Sequence, residues 1–183
     1  MSQVGQGTFD KIPIIDIGGL FDDSESDLNA VASEIALAYS QVGFGLIINH
    51  GVEQTLIDDL FTASRQFHRL PHAEKMRIEI NEFQRGFLPI KTGGTPGEAK
   101  PNQCDSFMAL HELDPDDPDV LAGAPMAGPN QWPQGLPGFR EALTTYELAM
   151  HQLGRRLVQT IAVALGTGVT ELDQHFEHPT TFL

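Results

Sequence analysis

Cysteine, basic charge and long apolar runs are all scarce in this chain. The one cysteine, Cys104, excludes an internal disulfide, which fits a reducing compartment. A lone thiol with no electropositive setting reads as a structural cysteine rather than a nucleophile. Lys and Arg total 11 against 25 Asp and Glu, a formal net charge of −14. That sign repels nucleic-acid phosphate and anionic lipid, so neither nucleic acid nor membrane is expected as a partner. It suits a soluble, cytoplasmic protein. An anionic substrate stays compatible with it, because one pocket arginine outweighs distant charge screened over ~8–10 Å. No apolar stretch approaches the ~20 residues that cross a bilayer. Residues 1–10 carry neither the basic nor the apolar segment of a secretory signal. The Gly/Pro/Thr stretch Lys91-Thr92-Gly93-Gly94-Thr95-Pro96-Gly97 lacks phosphate-loop spacing. No Gly-x-Ser-x-Gly nucleophile elbow occurs.

What is present is a globular domain's worth of chain, 183 residues at 40% hydrophobic. Its organising stretch is Gly43-Phe44-Gly45-Leu46-Ile47-Ile48-Asn49-His50-Gly51. The apolar run is too short for a helix and predicts a buried strand at 44–48, closed by a turn at Asn49-His50-Gly51. Ile12-Pro13-Ile14-Ile15-Asp16-Ile17 reads as a second short strand, with Pro13 at its start or edge. Ser24-x-x-Asp27 resembles a helix N-cap, and Leu28, Val31, Ile35, Ala38 and Val42 trace one helix face up to the stop at Gly43. Leu56, Leu60, Ala63, Phe67 and Leu70 trace a second, thickened by Ile57 and Phe61 and ended by Pro71. A further helical turn is expected at His72-Ala73-Glu74-Lys75-Met76. Phe83-Gln84-Arg85-Gly86-Phe87-Leu88-Pro89 reads as extended, and Asp105 to Leu110 as another strand. Residues 114–138, rich in Pro, Asp and Gly, read as surface loop and carry the only tryptophan, Trp132. The longest element comes last: Phe139, Leu143, Tyr146, Met150, Leu153, Leu157, Ile161 and Ala164 repeat at helical spacing until Gly166. One more short helix is expected within 169–176. The expected division is 1–90, an αβ part, 91–136, loop-rich, and 137–183, the long helix and tail, within a single domain.

Four blocks in this order carry a resemblance. They are Ile12-Pro13-Ile14-Ile15-Asp16, Gly43-Phe44-Gly45 through Asn49-His50-Gly51, Phe67 with Leu70-Pro71 and Glu74-Lys75, and Arg85-Gly86-Phe87. Together they resemble the N-terminal region of the iron(II)/2-oxoglutarate-dependent oxygenases, in the isopenicillin N synthase-like branch. The resemblance runs from about Ile12 to the last residue. It implies an α+β fold that is the N-terminal part of a distorted jelly-roll (double-stranded β-helix) oxygenase. Short strands and two wrapping helices would accompany one long backbone helix at 139–165. It also implies that the complete enzyme uses Fe(II) and 2-oxoglutarate to oxidise a small-molecule substrate with O2. Iron in that family is held on one face by His-x-Asp and a distant His, which leaves positions open. An Arg-x-Ser motif grips the 2-oxoglutarate carboxylate.

Neither motif occurs in these residues. The histidines are His50, His68, His72, His111, His151, His175 and His178, and none has Asp two residues on. No arginine is followed by x-Ser. The expectation is therefore an N-terminal fragment with no catalytic and no metal-ligating residue, binding neither cofactor alone and inactive alone. His72-Ala73-Glu74 and His175-Phe176-Glu177 imitate the iron motif, but helical i, i+2 side chains point apart. His175 with His178 at i, i+3 suits a zinc pair that lacks a third donor. A metal site built from His72, Glu74, His175 and His178 is one rival reading. Another is a non-catalytic binding or interaction module, in which uncovered apolar strand faces favour self-association. His50 is either a turn residue or a ligand, and resemblance favours the turn. Arg85 is the substrate-side candidate, since a guanidinium forks onto carboxylates and some relatives use this block so. Its alternative is a salt bridge or a clamp on backbone carbonyls. Phe83 and Phe87, with Phe107 and Trp132, either line the same pocket or fill the core.

Overall fold

In a computed structural model, residues 11–21, 25–90, 104–176 and 181–183 are described. Ser24, Glu177, His178 and the stretch from Lys91 to Gly97 lie outside them, so expectations placed there have no structural counterpart. The element order is β1 (Ile14–Asp16), α1 (Glu25–Gln41), β2 (Leu46–Ile48), α2 (Gln54–His68), α3 (His72–Lys75), β3 (Gly86–Leu88), β4 (Ser106–Met108), α4 (Pro118–Leu121) and α5 (Phe139–Ala164). The chain divides into two compact units that ignore chain order. One takes Met1–Glu53 and Leu148–His178, the other Gln54–Glu147 and Pro179–Leu183. The division expected at 90 and 136 follows composition instead.

In the first unit β1 and β2 pair in parallel, Ile14 opposite Leu46, Ile15 opposite Ile47 and Asp16 opposite Ile48. Two main-chain bonds extend the ladder, Leu46 N to Pro13 O at 2.9 Å and Ile17 N to Ile48 O at 3.1 Å. Ile15, Ile17, Leu20, Val31, Ile35, Ala38 and Leu153 form the core, so α1 presents the face that its spacing predicts. α1 ends at Gln41, and the chain turns away at Gly43, where φ is +93°. The two strands end in linked turns. Asp16 Oδ1 accepts from Gly18 N at 2.9 Å, and Asp16 Oδ2 from Asn49 Nδ2 at 2.8 Å. These bonds, the Gly18 one first, hold the Asp16 carboxyl below its ordinary range. His50 serves the turn, its Nδ1 accepting from Val52 N at 3.1 Å.

The buried strand expected at 44–48 is corrected. β2 spans only Leu46–Ile48, and Leu46 is 53% and Ile48 45% exposed, while Ile47 packs on the core. In a pleated strand neighbouring side chains point to opposite faces, and α1 with the later part of α5 covers one face only. Ile14, beside Leu46, is likewise open.

In the second unit β3 and β4 pair antiparallel, Gly86 opposite Met108, Phe87 opposite Phe107 and Leu88 opposite Ser106. The last residues extend this sheet, with Ala109 N to Leu183 O at 3.1 Å, Leu183 N to Ala109 O at 2.7 Å and His111 N to Thr181 O at 3.0 Å. The core gathers Ala63 and Phe67 of α2, Phe87, Ala109, and Phe139 and Leu143 of α5. Phe67 is fully buried, with Phe107, Phe139 and Phe87 ring centroids 5.0, 5.3 and 6.0 Å away. Truncating such a residue costs about 3–5 kcal/mol. Phe61, expected to thicken the α2 stripe, is exposed. The expected loop at 114–138 holds one helical turn, α4, capped by Asp117. Trp132 packs into the aromatic core rather than lying on the surface. The last short helix is a 3-10 turn, Asp173–Phe176.

Candidate functional site

The Arg85-Gly86-Phe87 block sits where a tight loop enters β3. Asn81 builds the loop: its Oδ1 accepts from Phe83 N and from Arg85 N, both at 3.1 Å. Gln84 takes φ +61°, so residues 83–84 form a turn, and extension begins only at Gly86. Gly86 itself has φ +113°, and a Cβ there would lie 2.3 Å from Ile78 O and 2.6 Å from Gln131 Nε2. Gln131 Nε2 closes the arrangement by donating to Glu79 O at 2.9 Å and Arg85 O at 2.7 Å. The block needs glycine because two chain segments and an amide occupy the space of a side chain.

That loop turns the Arg85 side chain inward, where it is 1% exposed. Nη1 donates to Phe83 O at 2.9 Å and to Met126 O, and Nη2 to His111 O at 3.0 Å. Of the two readings of Arg85, the clamp on backbone carbonyls is the geometry observed. Nε is buried with no hydrogen-bond partner among the described residues. Burial pulls the guanidinium below its ordinary value, and the nearby Glu112 charge opposes that pull. Glu112 organises the adjoining loop. Its carboxylate accepts from Asn130 N at 3.0 Å and from Trp132 Nε1 at 3.2 Å. The Asn130 amide in turn mimics a strand, accepting from Leu110 N at 2.9 Å and donating to Leu110 O at 2.6 Å.

The pleat separates the aromatic candidates from any open wall. Phe87 and Phe107 face each other across the register on the core side. Phe87 is 1% exposed, so it fills the core rather than lining an open pocket. Phe83 is half-buried and lies flat over Gly128, whose added Cβ would meet the ring at 2.7 Å. The opposite face of β3 and β4 carries Leu88, Ser106 and Met108, all half-buried. Sequence reasoning misses these three. The available signal is the period of two from Phe107, which puts Ser106 and Met108 on the other side.

Behind the sheet a charged cluster meets the aromatic core. Lys75, buried, donates to Asp105 Oδ2 at 2.9 Å and lies 4.7 Å from the Phe87 ring centroid. His68 Nδ1 lies 3.2 Å from Asp105 Oδ1. The Lys75 hydrogen bond first, with the Lys75 and His68 charges, holds the Asp105 carboxyl below its ordinary value against the cost of burial.

Among the described residues no group of three or more His, Cys, Asp and Glu is placed to hold a metal ion. His72 and Glu74 share α3, whereas His175 belongs to the other unit. The donor set for ferrous ion is therefore not met by these residues. No helix among them is long and apolar enough to cross a membrane.

Solved structures share this mixed helix-and-strand fold. A full-length Neurospora crassa protein in complex with alpha-KG superposes with a TM-score of 0.75 at 22% identity, covering 92% of this chain and 52% of that one. A putative 2OG-Fe(II) oxygenase family protein from Caulobacter crescentus gives 0.73 at 17% identity, covering 88% and 51%. By sequence, residues 12–135 match the model of the non-haem dioxygenase N-terminal region described from morphine synthesis. The chain belongs to that family, the N-terminal region of the iron(II)/2-oxoglutarate-dependent oxygenases. Azadirone synthase LFS of Melia azedarach is 34% identical over 149 residues, covering 79% of this chain and 44% of that protein. Isopenicillin N synthase of Amycolatopsis lactamdurans is 30% identical over 173 residues, covering 92% and 50%. The 2-oxoglutarate-dependent dioxygenase tropC of Talaromyces stipitatus is 30% identical over 180 residues, covering 94% and 53%. The chain thus spans about half the length of the curated relatives it matches.

Proposed function

We propose that these 183 residues are one N-terminal domain of a cytoplasmic Fe(II)/2-oxoglutarate-dependent oxygenase of jelly-roll fold. The whole enzyme would oxidise a small organic substrate with O2 and decarboxylate 2-oxoglutarate to succinate. The family match over residues 12–135 carries this reading. The iron supplies O2 activation when bound, and its ligands and the 2-oxoglutarate grip come from outside this domain. The domain's own work is structural and selective. Residues 83–87 belong to the substrate wall, and Arg85 holds the wall by tying the carbonyls of Phe83, His111 and Met126 together. Phe83 and Phe87 back the wall, and Leu88, Ser106 and Met108 offer the face on which substrate size is felt.

The test is direct. The purified chain, incubated with ferrous ion, ascorbate, O2 and 2-oxoglutarate, is expected to release no succinate above the protein-free control. Catalytic succinate release by the chain alone overturns the proposal.

A further inference from the structure

In the first unit β1 has a strand on one side only: among the described residues its sheet holds β1 and β2 and no third strand. Pro13 O accepts from Leu46 N and Ile17 N donates to Ile48 O, so the odd-numbered residues turn their main-chain groups toward β2. Main-chain groups alternate in direction along a strand, which aims the N–H and C=O of Ile12, Ile14 and Asp16 at the free edge. Such edges are commonly blunted by outward proline or charge. Pro13 faces β2 instead, and the one charge on β1, the Asp16 carboxylate, is turned onto Gly18 N and Asn49 Nδ2. Ile12 and Ile14 stand exposed beside them.

A groove of about 260 Å³ runs along this edge. Lys11, Pro13 and Ile14 line it from the strand, and Glu34, Leu37 and Gln41 from α1. These three α1 residues are exposed and share one helix face at spacings of three and four. Copies of a chain with a net charge of −14 repel over most of their surface. The groove is locally neutral, with Lys11 and Glu34 around an apolar centre. Their placement also suits a two-fold axis. α1 crosses back between two parallel strands, so it runs against β1, and Glu34 lies toward the end of β1 away from Lys11. An antiparallel second β1 brings its own Lys11 to that end.

We propose that two copies of this chain join through the free edges of β1, antiparallel about a two-fold axis at Ile14, and merge their strand pairs into one continuous sheet. Ile14 exchanges main-chain bonds with its counterpart, and Asp16 with the other copy's Ile12. Leu37 of each α1 closes the groove, and each Lys11 meets the other copy's Glu34. The contact is isologous, the same patch on both copies. It uses the strand edge and not the open face that carries Leu46.

Sedimentation equilibrium of the 183-residue chain over a concentration series tests this. A reversible dimer is expected. Ile14→Pro removes a donor that β2 does not use, so a monomer with unchanged circular dichroism is expected. Leu37→Glu sets like charges across the axis and is expected to give a monomer too. Lys11→Glu is expected to weaken the dimer roughly fivefold, and the added Glu34→Lys to restore it. Leu46→Thr leaves the dimer in place. A monomer at every concentration, a dimer that survives both folded Ile14→Pro and folded Leu37→Glu, or loss of the dimer in Leu46→Thr overturns the proposal. Failure of the second charge reversal to restore affinity overturns the antiparallel arrangement.

Discussion

At the scale of single residues, the motif that is easiest to read has the least legible cause. Arg85-Gly86-Phe87 stands out in the sequence, yet nothing there shows that a Gly86 side chain would collide with Ile78 O and Gln131. Gly86→Ala adds that collision to an unfavourable backbone angle. A loss of about 3 kcal/mol is expected, read as a shift of the urea midpoint. Arg85 is legible as an inward-facing arginine, but its acceptors are three carbonyls that sequence does not single out. Asp105 gives a pH signature. Its folded pKa lies below 3.8, so the stability it contributes is complete above that value and is lost as pH falls through the folded pKa. Asp105→Asn is expected to lower the melting temperature near neutral pH, with the gap to the unmodified chain closing below 3.8. Melts that keep the full gap into strong acid would contradict the Lys75–Asp105–His68 geometry.

Among elements, all four strands fall inside stretches that the sequence marks as extended, yet which face each strand buries is far less legible than a helix face, for one physical reason. A helix repeats its apolar face over many residues, so α1, α2 and α5 announce most of their buried sides, with Phe61 on α2 and Met150 on α5 the exceptions. β2 and β4 are three residues each, too short for an alternation to stand out. A continuous apolar run at 44–48 hides the fact that only Ile47 turns inward. Taking Phe87 and Phe107 as wall candidates hides the opposite face. The pleat makes a clean comparison. Phe107→Ala, which empties an aromatic contact with Phe67, is expected to cost about 3–4 kcal/mol. Met108→Ala, one residue on and facing away, is expected to cost under about 1 kcal/mol. Paired urea titrations check both, and equal losses would mean that the register is misassigned.

For the molecule as a whole, the family is legible because four blocks keep their order, while the boundaries of the compact units are not. No local signal tells residue 53 from residue 54, since the units are defined by contacts made far along the chain. The open face of the β1–β2 pair belongs to this scale too. Ile14 at 63% and Leu46 at 53% exposed lie side by side, an apolar patch on strands that usually have both faces covered. Self-association through this patch is expected, and Ile14→Thr with Leu46→Thr should lower the average mass in sedimentation equilibrium at high concentration. A mass already monomeric, or unmoved by the pair, would remove self-association through this face.

The core around Ile15, Val31 and Ile35 takes one of its buried members, Leu153, from α5. On a ribosome the first 53 residues therefore emerge about 100 residues before that partner does, a wait of roughly 5–20 s at ordinary elongation rates. During that interval the nascent β1, α1 and β2 lack the packing that Leu153, Leu157 and Ile161 supply, while the intervening stretch is translated. The second unit waits longer still, because Ala109 and His111 gain their main-chain partners only when Thr181 and Leu183 arrive.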